Sequence, residues 1–211
     1  MKKGLIALLI LSFPLFVDGQ VTYKTGGGEI IFGFADLIDN NGQDLSKGVR
    51  TSLFFHLSQY RHLDFNNNLG FFTGLGLRNI GFVGQEGSEK VKRRVYTVGV
   101  PLGVKLGNFR KQTFVFGGLE GEFAFNYKEK RYVNGKKVSK YTSWFSDRTQ
   151  KFLPSAFAGI QFSKGLNVKF RVYLDDFMKG DYQESNLFHF SLSYQLEYGK
   201  RKTGKKETSD L

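Results

Sequence analysis

The chain has 211 residues, a formal net charge of +12, three histidines and no cysteine. The absence of cysteine excludes disulfides and thiolate metal sites. Since no His-x-x-x-His pair or calcium-type carboxylate loop is present either, we predict no metal and no cofactor. The basic charge is compatible with nucleic acid, anionic lipid or acidic polymers. The export signal described next argues against nucleic acid.

The N-terminus predicts a secretory signal peptide at residues 1–19. Two lysines precede an apolar run from Leu5 to Val17, and cleavage is expected between Gly19 and Gln20. A membrane-anchoring helix is the alternative, but the run contains Pro14 and is shorter than the about 20 residues that span a bilayer. We therefore expect residues 1–19 to be removed, followed by a lead-in at 20–28.

Eight segments after the signal peptide alternate apolar and polar residues with the period of a β-strand. Turn-type clusters separate them, and none has a helical period. The last segment is the clearest, since every second residue from Phe188 to Tyr198 is apolar, and its length suits one outer-membrane strand. The segments are Glu29–Leu37, Val49–Ser58, Asn68–Val83, Val91–Gly107, Lys111–Tyr127, Phe152–Ser163, Leu166–Asp175 and Asn186–Lys200.

The connections between these segments alternate in length. Those after strands four and six are short, and the one after strand two, Gln59–Asn67, is intermediate. The other connections are long: Asp39–Lys47, Gly84–Lys90, Lys128–Lys151 and Asp176–Ser185. Short periplasmic turns and longer outside loops are typical of outer-membrane barrels. We predict an all-β, eight-stranded, antiparallel up-and-down transmembrane β-barrel at 29–200, with a basic periplasmic tail at 201–211. A soluble lipocalin-type barrel, with its apolar face inward, is the main alternative.

The faces opposite the apolar residues combine charged side chains with glycine. Such a composition suits the interior of an eight-stranded barrel, which has room only for side chains. We expect the charges to pair and to close the lumen, with a narrow small-solute channel as the alternative. The predicted lumen charge cluster is Arg78, Lys105, Glu120, Glu122, Lys169, Arg171, Asp175 and Glu197.

The connection Lys128–Lys151 is the predicted interaction site. It has 24 residues, with eight basic and two acidic side chains, and its Asn134-Gly135 pair predicts an outward hairpin. We expect it to bind outer-membrane lipid, including lipopolysaccharide phosphates, or an envelope or secretion-complex protein; a solvated loop without a partner is the other interpretation. The candidate residues are Lys130, Arg131, Tyr132, Lys136, Lys137, Lys140, Tyr141, Trp144 and Phe145.

Catalysis is not expected, because the histidines are predicted at different depths. His62 is placed in a periplasmic-side turn, His56 near the periplasmic end of strand two and His189 near the outer end of strand eight. A lipid-modifying enzyme, the remaining alternative, would need a nucleophile beside His189. The polar residues expected within its reach are Ser185, Ser191 and Asp175.

The segments Leu69–Gly76 and Tyr96–Lys105, and a signal peptide ending in Gly-Gln, resemble the PorT-like outer-membrane barrels of Bacteroidota. An aromatic–x–x–x–hydrophobic–Pro–Leu segment recurs in the fourth strand of that family, and Pro101 would be its proline. The resemblance implies an eight-stranded barrel without a catalytic motif, and one family member is tied to type IX protein secretion. We therefore expect a non-enzymatic outer-membrane protein that acts through extracellular loops as a structural or docking component in secretion or envelope assembly.

Overall fold

The computed structural model describes residues 21–46, 48–180 and 182–203; the predicted signal peptide and the tail beyond Thr203 lie outside them. No helix in this part of the chain is long and apolar enough to cross a membrane. One 3₁₀ turn lies at Ser163–Gly165. The strands are β1 Val21–Asp39, β2 Arg50–Ser52, β3 Leu57–Asp64, β4 Leu69–Glu86, β5 Glu89–Asn108, β6 Thr113–Val133, β7 Lys136–Trp144, β8 Phe152–Gln161, β9 Leu166–Tyr173 and β10 Tyr182–Thr203.

Eight strand positions form a closed antiparallel ring. The ring order is β1, β3, β4, β5, β6, β8, β9 and β10, while β2 pairs with β1 beyond β3, and β7 pairs with the outer part of β6. The last strand returns to the first, with pairing from Val21↔Thr203 to Asp39↔Tyr182. This return leaves the ring without a free sheet edge. The predicted eight-stranded antiparallel barrel is confirmed.

Both ends of the predicted barrel are longer than expected. β1 begins at Val21, so the predicted lead-in, including Gly26–Gly28, is paired strand from its second residue onward. β10 runs to Thr203, so the first three residues of the predicted tail are strand too. The period-two pattern missed these extensions because glycine and lysine carry no apolar signal, whereas backbone hydrogen bonding continues regardless of the side chain.

The second strand is interrupted and shifted along the chain relative to the predicted Val49–Ser58. Residues 53–56 separate β2 from β3, and Phe55 has a φ of +65°. The interruption exposes Leu53, Phe54 and Phe55 on the outside of the ring. Because β3 continues to Asp64, the predicted turn Gln59–Asn67 shortens to residues 65–68. The three connections at this end, 65–68, 109–112 and 162–165, have four residues each.

The opposite end of the ring is more elaborate. β6 and β7 form the predicted hairpin on Asn134-Gly135. The expected long connection Gly84–Lys90 is instead mostly strand, with only residues 87 and 88 between β4 and β5. The segments after β1 and after β9 fold back over the opening and bury Leu45, Phe177 and Met178.

The apolar faces of the ring strands point outward and the charged faces point inward. On β5, alternate residues from Val98 to Leu106 are exposed, while Lys105 between them and Thr97 just before them are fully buried. From Tyr96 to Leu106 this surface extends about 34 Å along the strand. A tilt of about 40° reduces that to about 26 Å, close to the ~25 Å apolar band of a transmembrane barrel. The lipocalin-type alternative, which needs an apolar interior, is contradicted.

Candidate functional site

An ionic layer crosses the middle of the lumen. Three basic and three acidic side chains meet there, so their formal charges cancel. All six are buried inside the ring, where water cannot solvate them. The six residues are Arg78, Lys169, Arg171, Glu29, Glu120 and Glu122.

The two arginines connect the carboxylates of this layer. Arg171 Nη2 lies 2.5 Å from Glu120 Oε2, and its Nη1 lies 2.8 Å from Glu122 Oε1. Arg78 pairs with Glu120 and lies 3.5 Å from both Glu29 and Glu122. Lys169 completes the layer with a 2.8 Å contact to Glu29. Each charge therefore has an opposite charge beside it, which offsets part of the cost of removing it from water.

Neutral side chains add hydrogen bonds to the layer. Thr97 donates to Glu122 Oε2 at 2.6 Å, and the Tyr173 hydroxyl donates to Glu122 Oε1 at 2.9 Å. Arg171 donates to the Ser155 hydroxyl at 2.7 Å. Polar networks of this kind rigidify an interior when their members are satisfied.

Two inward glycines give the layer its space, as the predicted narrow lumen requires. A Cβ on Gly99 would overlap the Glu120 carboxylate and lie 2.9 Å from Cγ of Glu122. A Cβ on Gly76 would lie 2.8 Å from Arg78 Nη1. Any larger residue at these positions would displace a paired charge.

Five of the eight predicted lumen charges meet in this layer, and three do not. Lys105 lies nearer the end with the four-residue turns, 2.6 Å from Asp64 and 4.3 Å from the Phe109 ring centroid. Glu197 pairs with Arg201 near the last residues of β10. Asp175 is exposed beyond the end of β9.

Glu29 is the member of the ionic layer that sequence reasoning missed. It is the first residue of the predicted strand one, and alternation alone does not fix which way the first residue of a strand points. Its parity with the buried Ile31 and Leu37 was the available signal.

An apolar plug lies between the ionic layer and the elaborate end of the ring. It was not predicted, although Ile80 and Phe82 share the inward parity of Arg78. The β9–β10 connection contributes Phe177, whose N–H donates to the backbone oxygen of Ser185 at 3.0 Å. The buried members are Leu37, Leu45, Ile80, Phe82, Val95, Ala124, Tyr127, Leu153, Tyr173, Phe177, Met178 and Leu187.

Outside the plug, a second ionic cluster surrounds an open cavity of about 920 Å³, which we call the outer mouth. Arg93 lies 2.5 Å from Glu86 and 3.1 Å from Glu129, and Arg131 contacts both carboxylates. Burial opposes ionisation of Glu129, but the hydrogen bond from Tyr127 and the neighbouring guanidinium groups outweigh it, so the pKa of Glu129 is lowered. Ionised carboxylates thus join the strands that form the wall of the mouth.

The predicted interaction residues divide between two surfaces. Arg131 and Tyr141 line the outer mouth, and Lys136 stands at the hairpin turn. Trp144 stacks on Phe125, with ring centroids 5.9 Å apart, and contacts Phe145. The remaining predicted residues, Lys130, Tyr132, Lys137 and Lys140, lie on the outward face of β6 and β7.

Lys130, Lys137 and Lys140 belong to a larger set of outward cations that we call the basic face. β5, β6 and β7 each contribute, and every member is exposed or half-exposed. Sequence reasoning missed the β5 members because the predicted strand included them without showing which β6 residues they oppose. The basic face comprises Lys90, Lys92, Arg94, Lys128, Lys130, Lys137 and Lys140.

Two of the three histidines lie elsewhere than predicted. His62 is in β3, inside the ring, with Nε2 3.0 Å from Thr25 Oγ1. His56 lies at the interruption of the second strand rather than near a periplasmic end, with Nε2 2.7 Å from Ser52 Oγ. Both are buried, and each makes a hydrogen bond to a side chain of β1 or β2.

Neither serine predicted near His189 is hydrogen-bonded to it. His189 is buried edge-on to Tyr173, and neither ring nitrogen has a hydrogen-bond partner within the described ranges. Ser185 donates to Asp176, and Ser191 donates to the Lys169 backbone oxygen. Within those ranges, no group of three His, Asp or Glu side chains is placed to hold a metal ion.

Comparison with known proteins identifies similar folds only. No family model and no curated protein matches the chain. The attachment invasion locus protein Ail of Yersinia pestis is 12% identical, with 85% of this chain and 100% of that one covered and a TM-score of 0.40. Neisserial surface protein A is 11% identical over 84% and 97%, with a TM-score of 0.44. The N-terminal β-barrel domain of OprF from Pseudomonas aeruginosa is 9% identical over 85% and 100%, with a TM-score of 0.31.

Proposed function

We propose that this chain is an outer-membrane β-barrel that acts, without catalysis, as a structural or docking component of the envelope through the surface it exposes outside the membrane. The outward apolar band supports the membrane location, because eight strands present aliphatic and aromatic side chains where a soluble protein would present polar ones. The closed ring also satisfies the backbone groups that lipid cannot.

The filled lumen is the observation that carries this proposal. The ionic layer and the apolar plug occupy successive levels of the interior, whereas the 920 Å³ cavity opens only beyond the plug. A barrel filled in this way offers no continuous polar path to a solute. What it offers is an exposed outer surface, of which the β6–β7 hairpin is the most prominent element.

The exposed hairpin supports a docking role. All nine β7 residues except Ser143 are exposed, and they include aromatic and basic side chains of the types enriched in binding surfaces. The resemblance to PorT-like barrels makes a protein complex of secretion or envelope assembly the first partner to test.

The experiment combines fractionation, conductance and complementation. The wild-type protein should fractionate with the outer membrane, change its gel mobility on boiling in SDS, and show no single-channel conductance in planar bilayers. A variant with residues 133–139 replaced by a two-residue turn should remain membrane-embedded and heat-modifiable, yet fail to complement a deletion strain. As a matched control, Arg110→Gln and Lys111→Gln at the opposite end should complement fully. Conductance by the wild type, or full complementation by the shortened hairpin, would contradict the proposal.

A further inference from the structure

The basic face lies directly beyond the apolar band. Tyr96 pairs with Asn126, which pairs with Trp144, and this row marks the outer edge of the band. The next rows beyond it carry cations. Arg94 opposes Lys128, and the following row carries three lysines, described below. In a barrel that spans the outer membrane, these rows stand at the height of the lipid headgroups.

Like charges oppose each other within this face. Lys92 pairs with Lys130, and Lys130 pairs with Lys140, so three lysines lie side by side across three strands. Directly opposed Cβ atoms are about 5 Å apart, and like charges in that arrangement are destabilising. Among the described residues, no carboxylate lies within 4.0 Å of any cation of the basic face. The described carboxylates therefore do not offset this repulsion, although Lys92 contacts the ring of Tyr132, and Arg94 and Lys128 contact that of Tyr96.

A groove of about 550 Å³ adjoins the basic face on the outside of the ring. Its lining combines Lys92, Arg94 and Lys130 with residues of the strand-two interruption. Arg50 closes the wall behind it by donating to the backbone and side-chain oxygens of Asn79 at 3.0 and 2.7 Å. The groove is cationic on one side and aromatic on the other.

A second groove, of about 490 Å³, lies on the other side of the same interruption. It is lined by Ile30, Leu57 and Leu192 within the apolar band. The exposed side chains of Leu53, Phe54 and Phe55 line both grooves and thus join them. One continuous surface therefore runs from the apolar groove, across Leu53, Phe54 and Phe55, to the cations of the basic face.

We infer that this surface binds a phosphorylated glycolipid of the outer leaflet, with its phosphates on the basic face and an acyl chain in the apolar groove. The inference rests on the outer-membrane placement in the proposed function. Lysine and arginine provide charge-assisted hydrogen bonds to phosphate. The adjoining apolar groove favours a lipid over a soluble acidic polymer, which would leave that groove empty.

The single tryptophan of the chain provides the readout. Trp144 lies in the row next to Arg94 and Lys128, so a ligand on the basic face should change its fluorescence. Wild-type protein in detergent micelles should respond saturably to bisphosphorylated lipid A. The response should be weaker for the dephosphorylated lipid and should fall with added salt, because salt screens exposed charges.

The decisive variant is Lys92→Gln/Lys130→Gln/Lys140→Gln. It removes a repulsive row, so it should fold and keep its heat-modifiable mobility, yet bind bisphosphorylated lipid A at least about ten-fold more weakly. The control triple variant, Lys24→Gln/Arg110→Gln/Lys111→Gln, loses the same charge on exposed residues of the opposite end and should bind like the wild type.

A second variant tests the acyl-chain groove. Phe54→Ser should weaken lipid A binding without affecting folding, since Phe54 is 73% exposed. Equal affinity for phosphorylated and dephosphorylated lipid, or wild-type affinity in the lysine variant, would overturn the inference. Saturation by inorganic phosphate at the same affinity as lipid A would overturn the lipid assignment. Failure of the wild type to fractionate with the membrane would instead contradict the proposed function.

Discussion

The ionic layer inside the barrel and the basic face outside it differ in whether their charges are paired. Inside, three cations meet three carboxylates and each is paired. Outside, seven cations share a surface with no carboxylate within ion-pairing distance among the described residues. Buried charge must be balanced by the chain itself, because nothing else can reach it. Exposed charge is solvated by water and counterions and is also available to a ligand, which is why we propose the basic face as a binding surface.

The strongest test of this difference removes one charge from each region. Glu120→Ala leaves Arg78 and Arg171 buried with a partner missing, and should lower the free energy of unfolding by about 3–5 kcal/mol. Lys92→Gln on the basic face should be neutral or slightly stabilising, because Lys130 opposes it. Urea unfolding in detergent micelles, followed by Trp144 fluorescence, measures both. Equal losses in the two variants would eliminate the distinction.

A pair of phenylalanines extends the test to apolar residues. Phe177 is fully buried in the plug, whereas Phe54 is 73% exposed. Phe177→Ala should lower the free energy of unfolding by about 3 kcal/mol. This is the lower end of the range for a buried phenylalanine, because the β9–β10 connection can move partly into the cavity. Phe54→Ala should leave micelle stability nearly unchanged. If Phe177→Ala is equally harmless, the β9–β10 connection does not seal the lumen.

Adding one methyl group tests the space around the ionic layer. Gly99→Ala places a Cβ against the Glu120 carboxylate and should cost about 1–3 kcal/mol. Gly28→Ala is the matched control, since its Cβ would have a single ordinary contact, 3.7 Å from the His56 backbone oxygen. If Gly99→Ala unfolds at the same urea concentration as the wild type, the layer has room to rearrange.

The smallest expected change in the free energy of unfolding is at the outer mouth. The pKa of Glu129 is lowered in the folded protein, so its contribution is present above the ordinary value of 4.5 and is lost as the pH falls below it. Although Glu129 is buried, its partners Arg93 and Arg131 line the open mouth, where water screens the ion pairs, so we expect a loss in the free energy of unfolding of less than about 1 kcal/mol. Wild type should lose more stability between pH 5.5 and pH 3.5 than Glu129→Gln does. Parallel pH profiles for the two proteins would contradict this.

The sequence was sufficient to predict the barrel, because each strand that spans lipid must alternate over its full length. It was not sufficient to predict which inward charges share a level. That depends on the stagger between strands, which brings Glu29 beside Lys169 but leaves Lys105 and Glu197 at another height. The interruption at residues 53–56 also carried no signal, because its apolar residues resemble those of a strand.

The plug was missed for another reason. Three of its members, Leu45, Phe177 and Met178, come from connections, and a connection has no periodicity from which orientation can be read. The N–H groups of Phe177 and Met178 donate to the backbone oxygen and the hydroxyl of Ser185, and these contacts hold the connection in place.

The distribution of the ionic layer over the strands has a consequence for assembly. Its charges come from β1, β4, β6 and β9, which are alternate positions of the ring, and the intervening β5 and β8 supply Thr97 and Ser155. If two neighbouring strands slipped by two residues, every apolar side chain would still face lipid, so the alternating pattern could not detect the error. The slip would carry one charge about 7 Å away from its partners. The ionic layer thus stabilises one register of the ring relative to registers in which a strand has slipped by two residues.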